Sequence, residues 1–140
     1  MFKRLLSSLI VVALLTASRS SAAPRSAATQ NRLDKYWRIL EAAGNDTFRV
    51  AARIRPSQRI GEFEAYVLAS AYFYAFIDAC GGVELPIERG DRWIAESCEG
   101  YAGAPGPVII VDKKTGMTYS PGRHKVRDPK EYLRFSRKNI

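Results

Sequence analysis

Leu33, Tyr36, Trp37 and Leu40 fall at i, i+3, i+4 and i+7, which places them on one stripe of a helix. Arg32, Asp34, Lys35, Arg38 and Glu41 fill the outward side, and Gly44-Asn45 ends the helix. A large aromatic on such a stripe belongs in the core, so Trp37 is expected to pack inward rather than to serve a partner. In residues 47–55 the apolar positions 48, 50, 52 and 54 alternate with Arg49, Arg53 and Arg55, as in a half-buried strand. The same residues also make a short helix capped by Asn45 or Asp46, and the pattern leaves both open. Pro56 stops the segment in either case.

Glu62 to Cys80 is the most apolar stretch after the N-terminus, and residues 65–77 carry no charge. Its length and its lack of Gly and Pro predict a helix buried on most sides, ended by Gly81-Gly82. Tyr66, Tyr72 and Tyr74 cannot all point into one apolar core, so at least one hydroxyl is expected to reach an edge or a pocket. The periodicity then changes. Asp91 to Tyr101 reads as a strand with a slip near Ser97. Val108 to Val111 is a β-branched run, Asp112-Lys113-Lys114-Thr115-Gly116 is a turn, and Met117 to Ser120 returns as its hairpin partner. Asp128 as cap, Pro129 at the first helical position and Glu131 announce a short closing helix, with Tyr132, Leu133 and Phe135 on its apolar side. The fold class is therefore α+β: N-terminal helices including one buried core helix, an antiparallel sheet of about three strands with a hairpin, and a short C-terminal helix.

The N-terminus changes the cellular picture. Lys3 and Arg4 precede an apolar stretch, Leu5 to Ala17, broken only by Ser7, Ser8 and Thr16, and small residues run on through Ala23. Charged, apolar, small is the order of a secretory signal peptide, expected over residues 1–22 with cleavage after Ala22. The stretch is shorter than the ~20 residues of a spanning helix, so an integral membrane protein is not expected after cleavage. Residues 23–29 read as a flexible leader and residues 30–140 as a single domain. Cleavage removes Lys3, Arg4 and Arg19 and no acid, so the formal charge falls from +8 to +5. That charge is segregated: six acids lie between Asp78 and Glu99, and seven basic residues lie between Arg123 and Ile140. The segregation suits two partner-steering faces, or a tail packed beside the acidic segment so that the charges cancel. Cys80 and Cys98, an even pair in an exported chain, are expected to form a disulfide worth about 3 kcal/mol in the chain-entropy model.

Residue types needed for catalysis are sparse. His124 is the only imidazole, lies in a Gly- and Arg-rich loop, and has no nucleophile motif beside it. Two cysteines and one histidine lack any metal-ligand spacing, and no phosphate-binding or dinucleotide fingerprint is present. No catalytic residue, cofactor or metal is expected, and the chain is read as a non-enzyme. A nucleic-acid partner is not expected, because the basic tail lacks a recognised module and the chain is exported.

Gly90-Asp91-Arg92-Trp93-Ile94, then Gly103 to Gly116, then Tyr132-Leu133 after Asp128-Pro129, resemble small α+β immunity proteins of bacterial polymorphic toxin systems. The likeness covers roughly residues 62–136. It implies a protein that binds a cognate toxin or effector and blocks it without catalysis. The export signal departs from the commonest pattern and implies a periplasmic member whose toxin acts in the cell envelope. The family carries no fixed inhibitory residues to transfer. Contact candidates come instead from the physics of tight interfaces, in which aromatic and Arg anchors are ringed by charge. They are Tyr101, Tyr119, Arg123, His124 and Arg127 around the hairpin and following loop, with Glu96 and Glu99 as a second choice. The alternative is an envelope-associated binding module for peptidoglycan or another anionic polymer, using the basic C-terminus.

Overall fold

The computed structural model describes residues 25–136. The expected signal peptide, its cleavage bond and the last four residues of the basic tail lie outside the described residues. The chain divides into two compact units, residues 1–30 and Asn31–Ile140. In the first, Ser26 caps the start of a helix: its hydroxyl accepts the Thr29 N–H and its carbonyl the Gln30 N–H. Residues 27–29, expected in a flexible leader, are thus helical.

Among the described residues three α-helices come first: α1 (Ala27–Ala42), α2 (Thr47–Ala52) and α3 (Glu62–Phe76). Leu33 and Leu40 of α1 are buried, and Tyr36 packs its ring on Phe63 and Tyr66, with centroids 5.1 and 5.6 Å away. Trp37 is 51% exposed, which corrects the expectation that it joins the core. It sits on the flank of the stripe opposite Tyr36, the side that meets Phe63 and Tyr66. Residues 47–52 are the helix of the two open possibilities: Asp46 accepts the Arg49 N–H at 3.0 Å and caps it.

Helix α3 is the centre of the molecule, with every residue from Ala65 to Phe73 buried. It packs against α2, β1, β3, β6, β7 and the terminal helix, so no face is left for polar residues. It ends at Phe76, before the expected Cys80, because the Ile77 and Asp78 N–H groups both turn back onto the Phe73 carbonyl. The Tyr72 hydroxyl donates to the His124 carbonyl at 2.6 Å, and that of Tyr74 to the Gly81 carbonyl at 3.1 Å. Tyr72 therefore buries its ring and Tyr74 half-buries its own, and both spend their hydroxyls on edge backbone.

Eight short strands follow: β1 (Gly81–Val83), β2 (Ile87–Arg89), β3 (Arg92–Ala95), β4 (Ser97–Glu99), β5 (Ala104–Pro105), β6 (Ile109–Asp112), β7 (Thr118–Tyr119) and β8 (Lys125–Val126). They form antiparallel sheets of three strands, β1-β4-β5, and five strands, β2-β3-β6-β7-β8, in place of the single sheet of about three strands that was expected. The two share one backbone run. β3 and β4 are consecutive, parted by Glu96, and the pairing register on each side shifts there by one residue: Ala95 faces Ile109 but Cys98 faces Pro105, and Ile94 faces Ile87 but Ser97 faces Val83. Each shift is a bulge, which bends a ladder and increases its twist. The slip anticipated near Ser97 is this break. Gly106 fills the tighter bulge, since a Cβ there would lie 2.4 Å from the Ser97 hydroxyl.

The closing element is a 3₁₀ helix, Pro129–Phe135, capped by Asp128 through the Lys130 N–H. Three residues per turn put Tyr132 and Phe135 on one face. Tyr132 is buried, Phe135 stacks on Phe48 and Phe76, and Leu133, expected on that side, is 39% exposed.

Candidate functional site

The three-stranded sheet projects a turn from β4 into β5. Asp78 anchors its base, one carboxylate oxygen accepting the Cys80 N–H and the other the Gly100 N–H, each at 3.1 Å. Gly100 and Gly103 both have φ 66°, a conformation that costs an L side chain, and they bracket the tip. Between them Tyr101 is 99% exposed, the most exposed large hydrophobic among the described residues. The neighbouring Cys80 thiol pushes the Tyr101 phenol above its ordinary pKa. Glu99 stands half-buried at the foot of the turn and Glu96 is exposed at the register break.

Cys80 and Cys98 lie on this same arm as separate thiols, so the disulfide expected between them is open in this structure. Register supplies the reason. Cys98 faces Gly82, which makes Cys80 its diagonal neighbour on the same face. Diagonal Cα atoms lie about 7–8 Å apart, just beyond the ~4.4–6.8 Å that a disulfide spans, so bonding requires the start of β1 to slide inward.

The other four candidates lie along the chain from β7 to just past β8, at the end of the five-stranded sheet. Tyr119 and Lys125 face each other across β7 and β8, with the ammonium 5.4 Å from the ring centroid, so Tyr119 is half covered. His124 stacks on Phe76 with centroids 4.9 Å apart, and its Nε2 lies 2.9 Å from Glu131, which also accepts from Arg134 at 2.7 Å. Arg123 reaches the Phe76 carbonyl at 3.5 Å, and Arg127 is exposed. Intramolecular contacts therefore occupy Tyr119, Arg123 and His124, whereas nothing covers Tyr101. The structure places Glu99 in β4 with Glu96 and Tyr101 just before and after it, and Tyr119 in β7 with Arg123, His124 and Arg127 flanking β8.

The turn that carried the family resemblance has a structural explanation. Asp112 accepts the Lys114 and Thr115 N–H groups at 2.9 and 2.8 Å, and Gly116 takes φ 70° to close the loop. Burial alone would raise the Asp112 pKa, but those two donors and the Thr115 hydroxyl bring it below the ordinary carboxylate range. Lys113 turns inward, its side chain only 6% exposed, where it pairs with Glu88 and lies 5.2 Å from the Trp93 ring centroid. Trp93 Nε1 in turn donates to the Ile60 carbonyl at 2.9 Å, and the Ile60 N–H to the Lys113 carbonyl at 3.1 Å. The motif builds a turn and locks the approach to α3.

Two clefts were not anticipated. One, of about 800 Å³, lies among α1, α2 and α3 and is lined by Trp37, Phe48, Tyr66, Tyr74, Glu41 and Asp46 among others. The other, of about 700 Å³, is lined by Arg53, Arg55, Ser57, Asp128 and Lys130. Neither shows in the spacing, because each draws on segments far apart in the chain. Among the described residues no group of three or more His, Cys, Asp or Glu side chains is placed to hold a metal ion, and no helix is long and apolar enough to cross a membrane.

Comparison with protein-family models, curated proteins and solved structures finds no match to this chain.

Proposed function

We propose that this chain is exported to the periplasm and acts there as an immunity protein, a non-enzymatic inhibitor that binds and neutralises a cognate toxin or effector working on the cell envelope. The single observation that carries the proposal is the tip of the β4–β5 turn. An aromatic held almost fully in water, on a glycine-bracketed turn whose base is pinned by Asp78, with its phenol beside the Cys80 thiol, buries almost none of its ring within its own fold. Aromatic anchors of this kind carry a large share of the free energy in tight interfaces once a partner's pocket encloses them. Glu99 at the foot of the turn, with Glu96 at the other end of β4, supplies the charge that speeds encounter. The sequence features that support export and the resemblance to immunity proteins point to the same class.

Affinity purification of the oxidised, mature protein from its own cells at moderate salt, with mass spectrometry of what stays bound, tests this. One secreted effector recovered in equal amount, and lost when Tyr101 is changed to Ala, is the expected result. Recovery of nothing but envelope polymer would defeat it.

A second reading rests on the cleft of Arg53, Arg55 and Lys130, a basic concavity suited to an anionic envelope polymer. It predicts retention that falls steeply with salt and is indifferent to Tyr101.

A further inference from the structure

The cleft among the three helices differs in chemistry from the rest of this basic protein. The chain carries 22 Lys and Arg residues, yet none lines the cleft, which is walled by four aromatic rings and carries the carboxylates of Glu41 and Asp46. Trp37 and Glu41 lie one turn apart on α1 and share a face, so a carboxylate stands next to the half-exposed indole. The remaining rings are held from behind. Tyr66 leans on Tyr36 at 5.6 Å, Phe48 on Phe135 at 5.6 Å, and Tyr74 is fixed by its hydrogen bond to the Gly81 carbonyl. Asp46 is held by the Arg49 N–H and the Ser136 hydroxyl and lies 3.9 Å from the Arg49 guanidinium, so that side of the cleft is set before any ligand arrives and Glu41 is its unshared charge among the two acids. A volume of about 800 Å³ lies within the ordinary range of small-ligand sites.

We propose that the cleft bounded by Trp37, Phe48, Tyr66 and Tyr74, with Glu41 and Asp46 at its polar side, is a binding site for an organic ammonium ion. Aromatic faces are electron-rich, and a cation whose charge is spread over methyl or methylene groups gains from them without losing a tight hydration shell. The Glu41 carboxylate adds long-range attraction, Asp46 being already paired with Arg49, and no Lys or Arg side chain lines the cleft to repel a cation at close range. A neutral sugar would stack on the same rings but would gain nothing from the charge. The site is independent of the toxin-binding turn and stands or falls separately from it.

Calorimetric titration of the purified protein with choline, with the Nε-trimethylated form of N-acetyl-lysine amide, and with the neutral isostere of choline in which carbon replaces nitrogen tests the assignment. At least one ammonium probe is expected to bind more tightly than the isostere by about tenfold or more. Preference for choline identifies a free quaternary ammonium as the ligand type, and preference for the lysine amide identifies a side chain presented by another protein. Trp37→Ala is expected to weaken binding about tenfold and Glu41→Gln a few-fold, the latter also flattening its salt dependence. Both residues are solvent-exposed, so unchanged circular dichroism is expected of both variants. Equal affinity for the isostere, stronger binding of a neutral chitin trimer, or no heat from either ammonium probe at about 50 mM, a concentration that reveals even very weak sites, would overturn the assignment.

Discussion

Replacing Trp93 by Phe separates the lock around Lys113 from ordinary core packing. The benzyl side chain keeps most of the buried ring but deletes Nε1, whose 2.9 Å bond satisfies the carbonyl of Ile60, a residue only 2% exposed. A buried carbonyl left without a donor costs about 1–3 kcal/mol. The ammonium of Lys113, buried and 5.2 Å from the indole centroid, also loses part of a cation–π contact worth about 0.5–2 kcal/mol. Together these destabilise the fold by about 2–4 kcal/mol, a large share of the ~5–15 kcal/mol that holds a domain together. For a domain of this size each kcal/mol lowers the melting temperature by about 4–8 °C, so a fall of at least about 10 °C is expected. Urea unfolding followed by far-UV circular dichroism measures the loss without depending on tryptophan emission. Trp37→Phe is the control, because that ring is half in water and its loss is expected to change stability by less than about 0.5 kcal/mol. A Trp93→Phe loss as small as that of the control would refute the lock.

The remaining expectations concern backbone, charge and thiols. At Gly81 φ is 103° and a Cβ would lie 2.0 Å from the Cys98 carbonyl oxygen, so Gly81→Ala is expected to cost at least about 2 kcal/mol in the same unfolding assay. Gly122, with φ 76° and open space around it, suffers only the conformational strain and is expected to lose less. The hydrogen bond and charge of Lys113 hold the Glu88 pKa below its ordinary value. Its contribution to stability is therefore complete above the ordinary carboxylate range and is lost as pH falls through the lowered value. Glu88→Gln should flatten that acid limb of a melting-temperature-versus-pH curve while leaving the neutral-pH shape unchanged. Thiol titration of denatured protein recovered from its own export compartment is expected to find Cys80 and Cys98 oxidised together; two free thiols would mean that the diagonal geometry resists closure.

Legibility followed the range of the interactions involved. The stripe of α1, the capped start at Asp128-Pro129, the β6–β7 hairpin and the uncharged run of α3 were all visible because each depends on neighbours within a turn or two. The α2 segment was ambiguous because its apolar residues alternate as in a strand, and only the Asp46 cap, fixed by Arg49 N–H and Ser136, decides the matter. β8 was missed because Lys125 and Val126 pair with β7 in a stretch that reads as a polar loop. Trp37 was misplaced because a stripe shows which face is apolar but not how much of it a neighbour covers. Of the seven contact candidates chosen from the sequence, Tyr101 alone is a large ring left in open water; Tyr119 and His124 were chosen for the same chemistry and are engaged by Lys125, Phe76 and Glu131. Both clefts escaped notice entirely, since their walls come from segments that only the fold brings together.

The paired register shifts at Glu96 have a consequence for cooperativity. A hydrogen-bonded ladder transmits opening from one rung to the next, and here both ladders flanking the central run are interrupted at the same level. The outer part of the arm, β4, β5 and the turn between them, can then fray as its own unit while β1 and the five-stranded sheet stay closed on α3, the behaviour of a separate foldon. Amide hydrogens of Cys98 and Glu99 would exchange through this local opening, and those of Trp93 and Val111 only when the whole domain unfolds. Tyr101 would thus ride on the part of the molecule able to adjust its aim without endangering the core.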